Sequence, residues 1–201
     1  MFTNIRVFFS KTGNAKYISH LDLYRAMGRA IKRSKLPVWI TEGFNPHIYM
    51  TFALPLALGI EGQGETMDLR LIEDMNFEEV AERLNSVMPQ GLEIIRVAAP
   101  VRKAAVIEKA RYEIDMGEDG LTLSLLDEYL SQPEIKITKK TKKRVQEIDV
   151  KPLLEWESQS KIMMLPAGST LNINPWNVLG EMEVRNVKRV EILCEDGAVF
   201  K

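Results

Sequence analysis

Ile5-Arg6-Val7-Phe8-Phe9, then Ser10-Lys11-Thr12-Gly13-Asn14, then Ser19-His20-Leu21-Asp22 form the stretch that decides the fold. The first five residues are β-branched, aromatic or long, types that suit a pleated, half-buried surface, and they predict an opening strand. The next five are polar and include a glycine, as a connecting loop does. Ser19 and Asp22 stand in capping-box positions, with Ser19 as N-cap and Asp22 reaching back from N3. Leu23, Met27, Ala30 and Ile31 then recur at helical spacing until Pro37 ends the pattern. A strand, a short loop and an amphipathic helix open a split β-α-β unit.

Further along, Val38-Trp39-Ile40-Thr41 reads as a second strand, Glu42-Gly43-Phe44-Asn45-Pro46-His47 as a turn, and Ile48 to Leu54 as extended chain. Gly59 to Gly64 is a turn leading to Glu65 to Ile72, where Met67, Leu69 and Leu71 alternate with polar and charged residues. Phe77, Val80, Ala81 and Leu84 predict a helix that stops before Pro89, and Leu92 to Val97 a closing strand. Residues 98–109 read as a linker, after which the pattern recurs. Strands are expected at 111–116, 134–138 continuing past a basic turn into 145–150, 161–165 and 187–193, with helices at 121–130 and from Pro175 to about 182. The expected class is α+β, as two tandem ferredoxin-like (βαββαβ) sandwiches, residues 1–100 and 108–201.

The 201 residues are 45% hydrophobic and 27% charged, which excludes disorder, collagen and coiled coil. The longest apolar stretch, Thr51 to Ile60, is short and broken by proline, so no membrane span is expected. The opening residues lack a basic region followed by an apolar one, so no signal peptide is expected. Cys194 is the sole cysteine, which precludes an internal disulfide, an all-thiolate zinc site or a self-contained iron–sulfur cluster and suits a reducing cytoplasm. Net charge is −1, yet residues 1–50 hold eight Lys/Arg against Asp22 and Glu42, while residues 51–100 hold three against nine acids. Such a division either gives a basic face suited to phosphate or intermingles in space.

Four features bear on chemistry. Arg25, Arg29, Lys32 and Arg33 share one side of the first helix, read either as a phosphate-tracking surface or as a solvated face. His20 and His47, the only histidines, are candidate acid–base or RNA-contacting groups; each also suits a structural hydrogen-bonding role, and no third ligand argues for a metal. Lys139, Lys140, Lys142, Lys143 and Arg144 make a basic finger able to reach an RNA backbone, or a solubilising loop guarding a sheet edge. Asp149, beside it, is a candidate catalytic carboxylate or a partner for a neighbouring cation. The glycine turn from Ala167 to Asn174 precedes Pro175; its backbone can hold an anion, and Asn174 as N-cap explains it without a ligand. No P-loop or dinucleotide fingerprint occurs.

Several of these segments together resemble a bacterial family. They are Ser10-Lys11-Thr12-Gly13, Ile18 to Asp22, Arg29-Ala30, Glu42 to His47, Leu54-Pro55-Leu56-Ala57-Leu58-Gly59 with Glu65, Lys142-Lys143 with Glu147 to Pro152, and Gly168-Ser169 with Asn174-Pro175. The family is that of the radical-SAM-linked proteins, found beside or fused to B12-binding radical SAM proteins. Lys151 stands where the family has an arginine, which weakens any bidentate contact there. The resemblance implies a radical SAM partner, not radical chemistry within this chain. A looser, architectural resemblance is to the repeat-associated RNA endonucleases of CRISPR processing, with His20 at the catalytic histidine position. Those enzymes carry a glycine-rich loop near the C-terminus, where this chain has only Gly168.

The resulting expectation is a cytoplasmic RNA-binding accessory protein that presents tRNA or rRNA to a radical SAM partner, with no cofactor and no independent activity. Lys11, Lys16, Arg25, Arg29, Arg33 and the cations of 139–144 would hold phosphates, and Asn45 and His47 would contact a base or sugar. The alternatives are an RNA-processing or RNA-modifying enzyme and a protein-interaction subunit. The first would use His20 as a metal-free acid–base or, as in pseudouridine synthases, Asp149 as nucleophile. The second would dock through Ile48-Tyr49-Met50-Thr51-Phe52.

Overall fold

The computed structural model describes residues 2–117, 120–140 and 145–201. It is a mixed α and β structure with a sheet-rich core; ten strands and four helices lie among the described residues. The chain divides into two compact units, one running to Ala104 and including Lys201, the other Ala105–Phe200.

In the first unit, strand β1 (Thr3–Lys11) leads through a 3-10 turn (Gly13–Tyr17) to helix α1 (His20–Ser34). Strands β2 (Met50–Phe52) and β3 (Glu61–Leu71), helix α2 (Phe77–Asn85) and strand β4 (Leu92–Ala98) follow. The strands lie in the order β4-β1-β3-β2, each antiparallel to its neighbour. Ile5, Val7 and Phe9 of β1 and Met67, Leu69 and Leu71 of β3 project to one face. There they pack with Leu23, Met27 and Ile31 of α1 and Val80 and Leu84 of α2. Ser19 caps α1 as its sequence position requires: its Oγ accepts from the Asp22 N–H at 3.1 Å and donates to the Asp22 carboxylate at 2.7 Å. Lys35 closes the helix in the left-handed region, φ 54°.

The second unit repeats that strand order. It contains β5 (Ile107–Asp115), α3 (Gly120–Leu130), β6 (Lys136–Lys140), β7 (Val145–Asp149), β8 (Glu155–Glu157), β9 (Ile162–Pro166), α4 (Pro175–Leu179) and β10 (Asn186–Cys194). Its sheet runs β10-β5-β9-β8, all antiparallel, and β6 and β7 form a separate hairpin between α3 and β8. Asp127 of α3 accepts from Trp156 Nε1 at 2.6 Å and Ser158 Oγ at 2.7 Å, tying the helix to β8 and the residue just beyond it. Ala110, Tyr112, Ile114, Leu126, Met163, Leu165, Val187 and the Cys194 thiol are buried.

Three expectations are revised. Residues 38–41 are not a strand: only the single bridges Val38↔Leu71 and Ile40↔Ile48 form, and the ladder with β3 starts at Met50. The strand expected at 134–138 and on into 145–150 is instead the separate β6–β7 hairpin, and the sheet position beside β9 goes to β8, a tryptophan between two glutamates that shows too little alternation to read in sequence. The chain enters β5 at Ile107, so much of the expected linker is structured, with a 3-10 turn at Ala104–Val106. No helix among the described residues is long and apolar enough to cross a membrane.

Candidate functional site

A groove of about 300 Å³ runs along α1 in the first unit. Tyr24, Arg25, Gly28, Arg29 and Lys32 line one side, and Pro46, His47, Ile48 and Met50 of the returning segment line the other. Arg25, Arg29 and Lys32 meet because i, i+4 and i+7 fall on one helix face. The opposite face carries Leu23, Met27 and Ile31 into the core, which leaves the cations in solvent. Arg25 pairs with Asp22 at 3.2 Å, both side chains more than half exposed, a surface pair of small net strength. That pair, the Ser19 hydroxyl and the charge of Arg29 hold the Asp22 carboxyl below its usual range, the hydroxyl contributing most. Neither Arg29 nor Lys32 forms an ion pair among the described residues. Lys32 in the last turn of α1 also complements the helix macrodipole.

His47 is positioned by its own turn. Its backbone N–H donates to Thr41 Oγ1 at 3.1 Å, and its Nδ1 lies 2.9 Å from the Asn45 carbonyl and 3.0 Å from Thr41 Oγ1. A carbonyl only accepts, so the contact with Asn45 is made by an Nδ1–H, which fixes the ring against its own turn. Asn45 is exposed beside it.

The other predicted residues fall elsewhere. Arg33 diverges from its helix neighbours: its guanidinium donates to the Val87 carbonyl at 2.7 Å, beyond the C-terminus of α2. Lys11 is buried, its ammonium donating to the carbonyls of Lys16 at 3.3 Å and Ile18 at 3.1 Å, so it braces the loop before α1 and offers no charge to the surface. Lys16 is half-buried, with its ammonium 5.3 Å from the Tyr17 ring. His20 does not line the groove; its ring packs edge-on against Phe52 at 5.1 Å. Its Nδ1 is buried without a hydrogen-bond partner among the described residues. Burial, and then the charge of Lys11, push the His20 imidazole below its ordinary pKa, so the ring is neutral at physiological pH.

Asp149 ends β7 in the second unit. Its Oδ1 accepts from the N–H groups of Ile135 and Lys151, both at 3.0 Å, and these bonds hold its carboxyl below the usual range. It clamps the base of the β6–β7 hairpin through backbone groups, and the charge of Lys136, its partner across the hairpin, also favours the carboxylate. Lys151 donates its ammonium to the Leu130 carbonyl at the end of α3. Of the basic finger, Lys139 and Lys140 end β6, while Lys142, Lys143 and Arg144 lie outside the described residues. Asn174 caps α4 by accepting from the Trp176 N–H at 3.1 Å. A Cβ on Gly168 would lie 2.9 Å from the Ile107 carbonyl, so glycine there permits close backbone packing. In the strip Ile48 to Phe52, Ile48 and Met50 are buried and Phe52 packs on Phe9, while Tyr49 and Phe52 stay half-buried. No group of three or more His, Cys, Asp or Glu residues suited to a metal occurs among the described residues.

One cluster went unread in the sequence. Trp39 and Tyr49, neighbours across the turn with rings 5.5 Å apart, each lie 4.7 Å from the Arg70 guanidinium, and Phe2 stands 5.4 Å from both Trp39 and Arg70. Its signal is the pairing of residues 39 and 49 across the turn, visible once Tyr49 N–H is seen to donate to the Trp39 carbonyl.

A model of a bacterial family, DUF2344, described as an uncharacterized protein conserved in bacteria, matches residues 4–175. The chain belongs to DUF2344. Every groove residue of this DUF2344 chain, from Tyr24 to Met50, falls inside the matched segment. No curated protein matches the chain.

Proposed function

We propose that this protein is an RNA-binding accessory factor of the bacterial cytoplasm, one that offers structured RNA, tRNA or rRNA, to a radical SAM partner for modification. The groove on α1 carries the reading: Arg25, Arg29 and Lys32 converge with His47, and Arg29 and Lys32 form no ion pair among the described residues. Three cations against the single nearby carboxylate of Asp22, gathered beside a concave surface, are suited to phosphate oxygens, which supply much of the affinity of a nucleic-acid contact. His47, its ring held at the Asn45 carbonyl, brings an imidazole to the same groove, a group suited to a ribose 2′-hydroxyl. We read both units as ferredoxin-like sandwiches, a reading supported by the shared 4-1-3-2 strand order. The partnership with a radical SAM protein rests on the motif resemblance alone.

The enzyme alternative has less support. His20 is kept neutral in a partly apolar setting away from the groove, and the Oδ1 of Asp149 is engaged by two backbone N–H groups.

Filter binding with total cellular tRNA and rRNA over a range of salt concentrations tests the reading. Affinity that falls as salt rises, and that drops with Arg29→Glu and Lys32→Glu, is expected. Absent binding, or binding indifferent to salt, overturns it. Co-purification with a radical SAM protein from RNase-treated lysate tests the partnership.

A further inference from the structure

Phe44 holds its entire side chain in solvent: its relative exposure is 105%, against at most 76% for any other exposed large hydrophobic residue described. No aromatic ring or cation packs on it among the described residues. The turn that carries it is braced. Gly43 takes φ 113°, a region that suits glycine. Pro46 fixes its own φ and restricts Asn45 before it. At the base the Thr41 N–H donates to the His47 carbonyl at 2.8 Å, reinforcing the bonds between the Thr41 hydroxyl and His47. An apolar ring is therefore presented at the tip of an ordered turn, two residues before Pro46 and three before His47, which line the cationic groove.

We propose that Phe44 stacks on an unpaired nucleobase of the RNA strand whose phosphates lie in that groove. The inference rests on the groove reading and deepens it by naming the substrate class: a single-stranded segment, loop or end, not a continuous duplex. A strand tracking Arg25, Arg29 and Lys32 carries its bases beside the backbone, and an exposed ring at the groove's margin can cover the face of one of them. Stacking needs only a π-face, so any base serves, but a base already stacked within a duplex is not offered. The Asn45 side chain, next to Phe44 and without a hydrogen bond among the described residues, supplies donors and an acceptor for that base's edge.

The test measures fluorescence anisotropy with three labelled ligands: an unstructured 12-nucleotide RNA, a strand of equal length with abasic sites throughout, and a blunt RNA duplex of that length. Wild-type protein should prefer the base-bearing single strand to both others. Phe44→Ala should weaken binding of that strand by about 5- to 150-fold, the range that one lost base–aromatic stack implies. The same variant should leave the abasic strand unchanged, and Phe44→Trp should restore affinity and show fluorescence quenching on binding. Because Phe44 touches no core residue, an unchanged melting temperature confirms that the variants fold. If Phe44→Ala binds the base-bearing strand as tightly as wild type while Arg29→Glu with Lys32→Glu still loses it, the stacking proposal is overturned and the groove stands. If no ligand binds wild type, both fall. Loss of protein-partner capture by Phe44→Ala with RNA affinity intact reassigns the ring to a protein interface and also overturns the proposal.

Discussion

Thr41 Oγ1 lies 3.0 Å from His47 Nδ1 and accepts the His47 backbone N–H at 3.1 Å. One hydroxyl thus fixes both the ring and the backbone of a residue that lines the groove, and it does so across the base of the turn that carries Phe44 and Asn45. The geometry of the proposed RNA contact depends on that small polar clamp more than on any apolar packing.

Thr41→Val keeps the shape of the side chain and removes the hydroxyl. Losing these bonds costs about 0.5–1.5 kcal/mol each. The expected result is faster hydrogen exchange at the His47 amide, with the exchange of β1 and β3 amides unchanged. An unaltered His47 exchange rate would show that the clamp does not order the turn.

Arg29→Ala combined with Lys32→Ala should flatten the salt dependence of RNA binding. Each phosphate contact contributes roughly 0.7 to the slope of log affinity against log salt for a single strand, so the pair should remove roughly 1.4. Arg33→Ala, whose guanidinium is held at the Val87 carbonyl, should leave the slope unchanged. A slope that responds to Arg33 and not to the pair would move the contact to another face of α1.

Gly28 sits in the groove with nothing within 4 Å of a Cβ built on it. Gly28→Ala should stabilise α1 by up to about 1 kcal/mol, since alanine relieves the entropic cost of glycine inside a helix. Gly28→Leu should instead obstruct the groove and weaken RNA binding without lowering the melting temperature. If leucine at this position binds RNA as wild type does, the groove is not the contact surface.

The protonation of His20 links the first unit's stability to pH. Its folded-state pKa is lowered from the ordinary 6.5, first by burial and then by Lys11. The unfolded chain therefore binds the proton more readily, and stability is lost as the pH falls from that ordinary value through the folded one. Urea unfolding across that window should show wild type weakening toward acid, and His20→Gln should weaken less steeply. Parallel curves for the two proteins would place the pH dependence elsewhere.

Arg6 is the stability counterpart. It is 1% exposed, with its guanidinium forked onto Asp68 at 2.7 and 2.8 Å and a third bond to the Lys201 carbonyl. Asp68→Ala leaves that charge buried without its carboxylate and should cost on the order of 3 kcal/mol, and Arg6→Met in the same chain should recover much of the loss. Equal denaturation midpoints for Asp68→Ala and wild type would contradict the assignment.

What the sequence conveyed follows from which interactions are local. The capping box, the 3.6-residue period of α1 and the alternation of β3 are short-range patterns, and each element formed near its expected place. Segment 38–41 misled because β-branched residues mark a strand-like surface without stating how many ladder bonds will close. The spacing of Arg25, Arg29 and Lys32 gave half of the groove; the approach of His47 depends on a long return through the turn and leaves no periodic mark. Lys11 was legible in principle, since it continues the odd-numbered series Ile5, Val7 and Phe9 that faces inward. Arg33 differs from Arg29 by four residues, yet it turned away because a free carbonyl beyond α2 lay within reach, a tertiary circumstance.

The sealed position of Cys194 gives the second unit a built-in clock. As the chain's sole thiol, buried in β10, it can meet a bulky maleimide only when that strand lifts from its neighbours. Trp39 is the lone tryptophan of the first unit, Trp156 and Trp176 belonging to the second. Labelling kinetics at that one sulfur can thus time the opening of the second half in the unaltered chain, and replacing Trp156 and Trp176 leaves one indole to time the first.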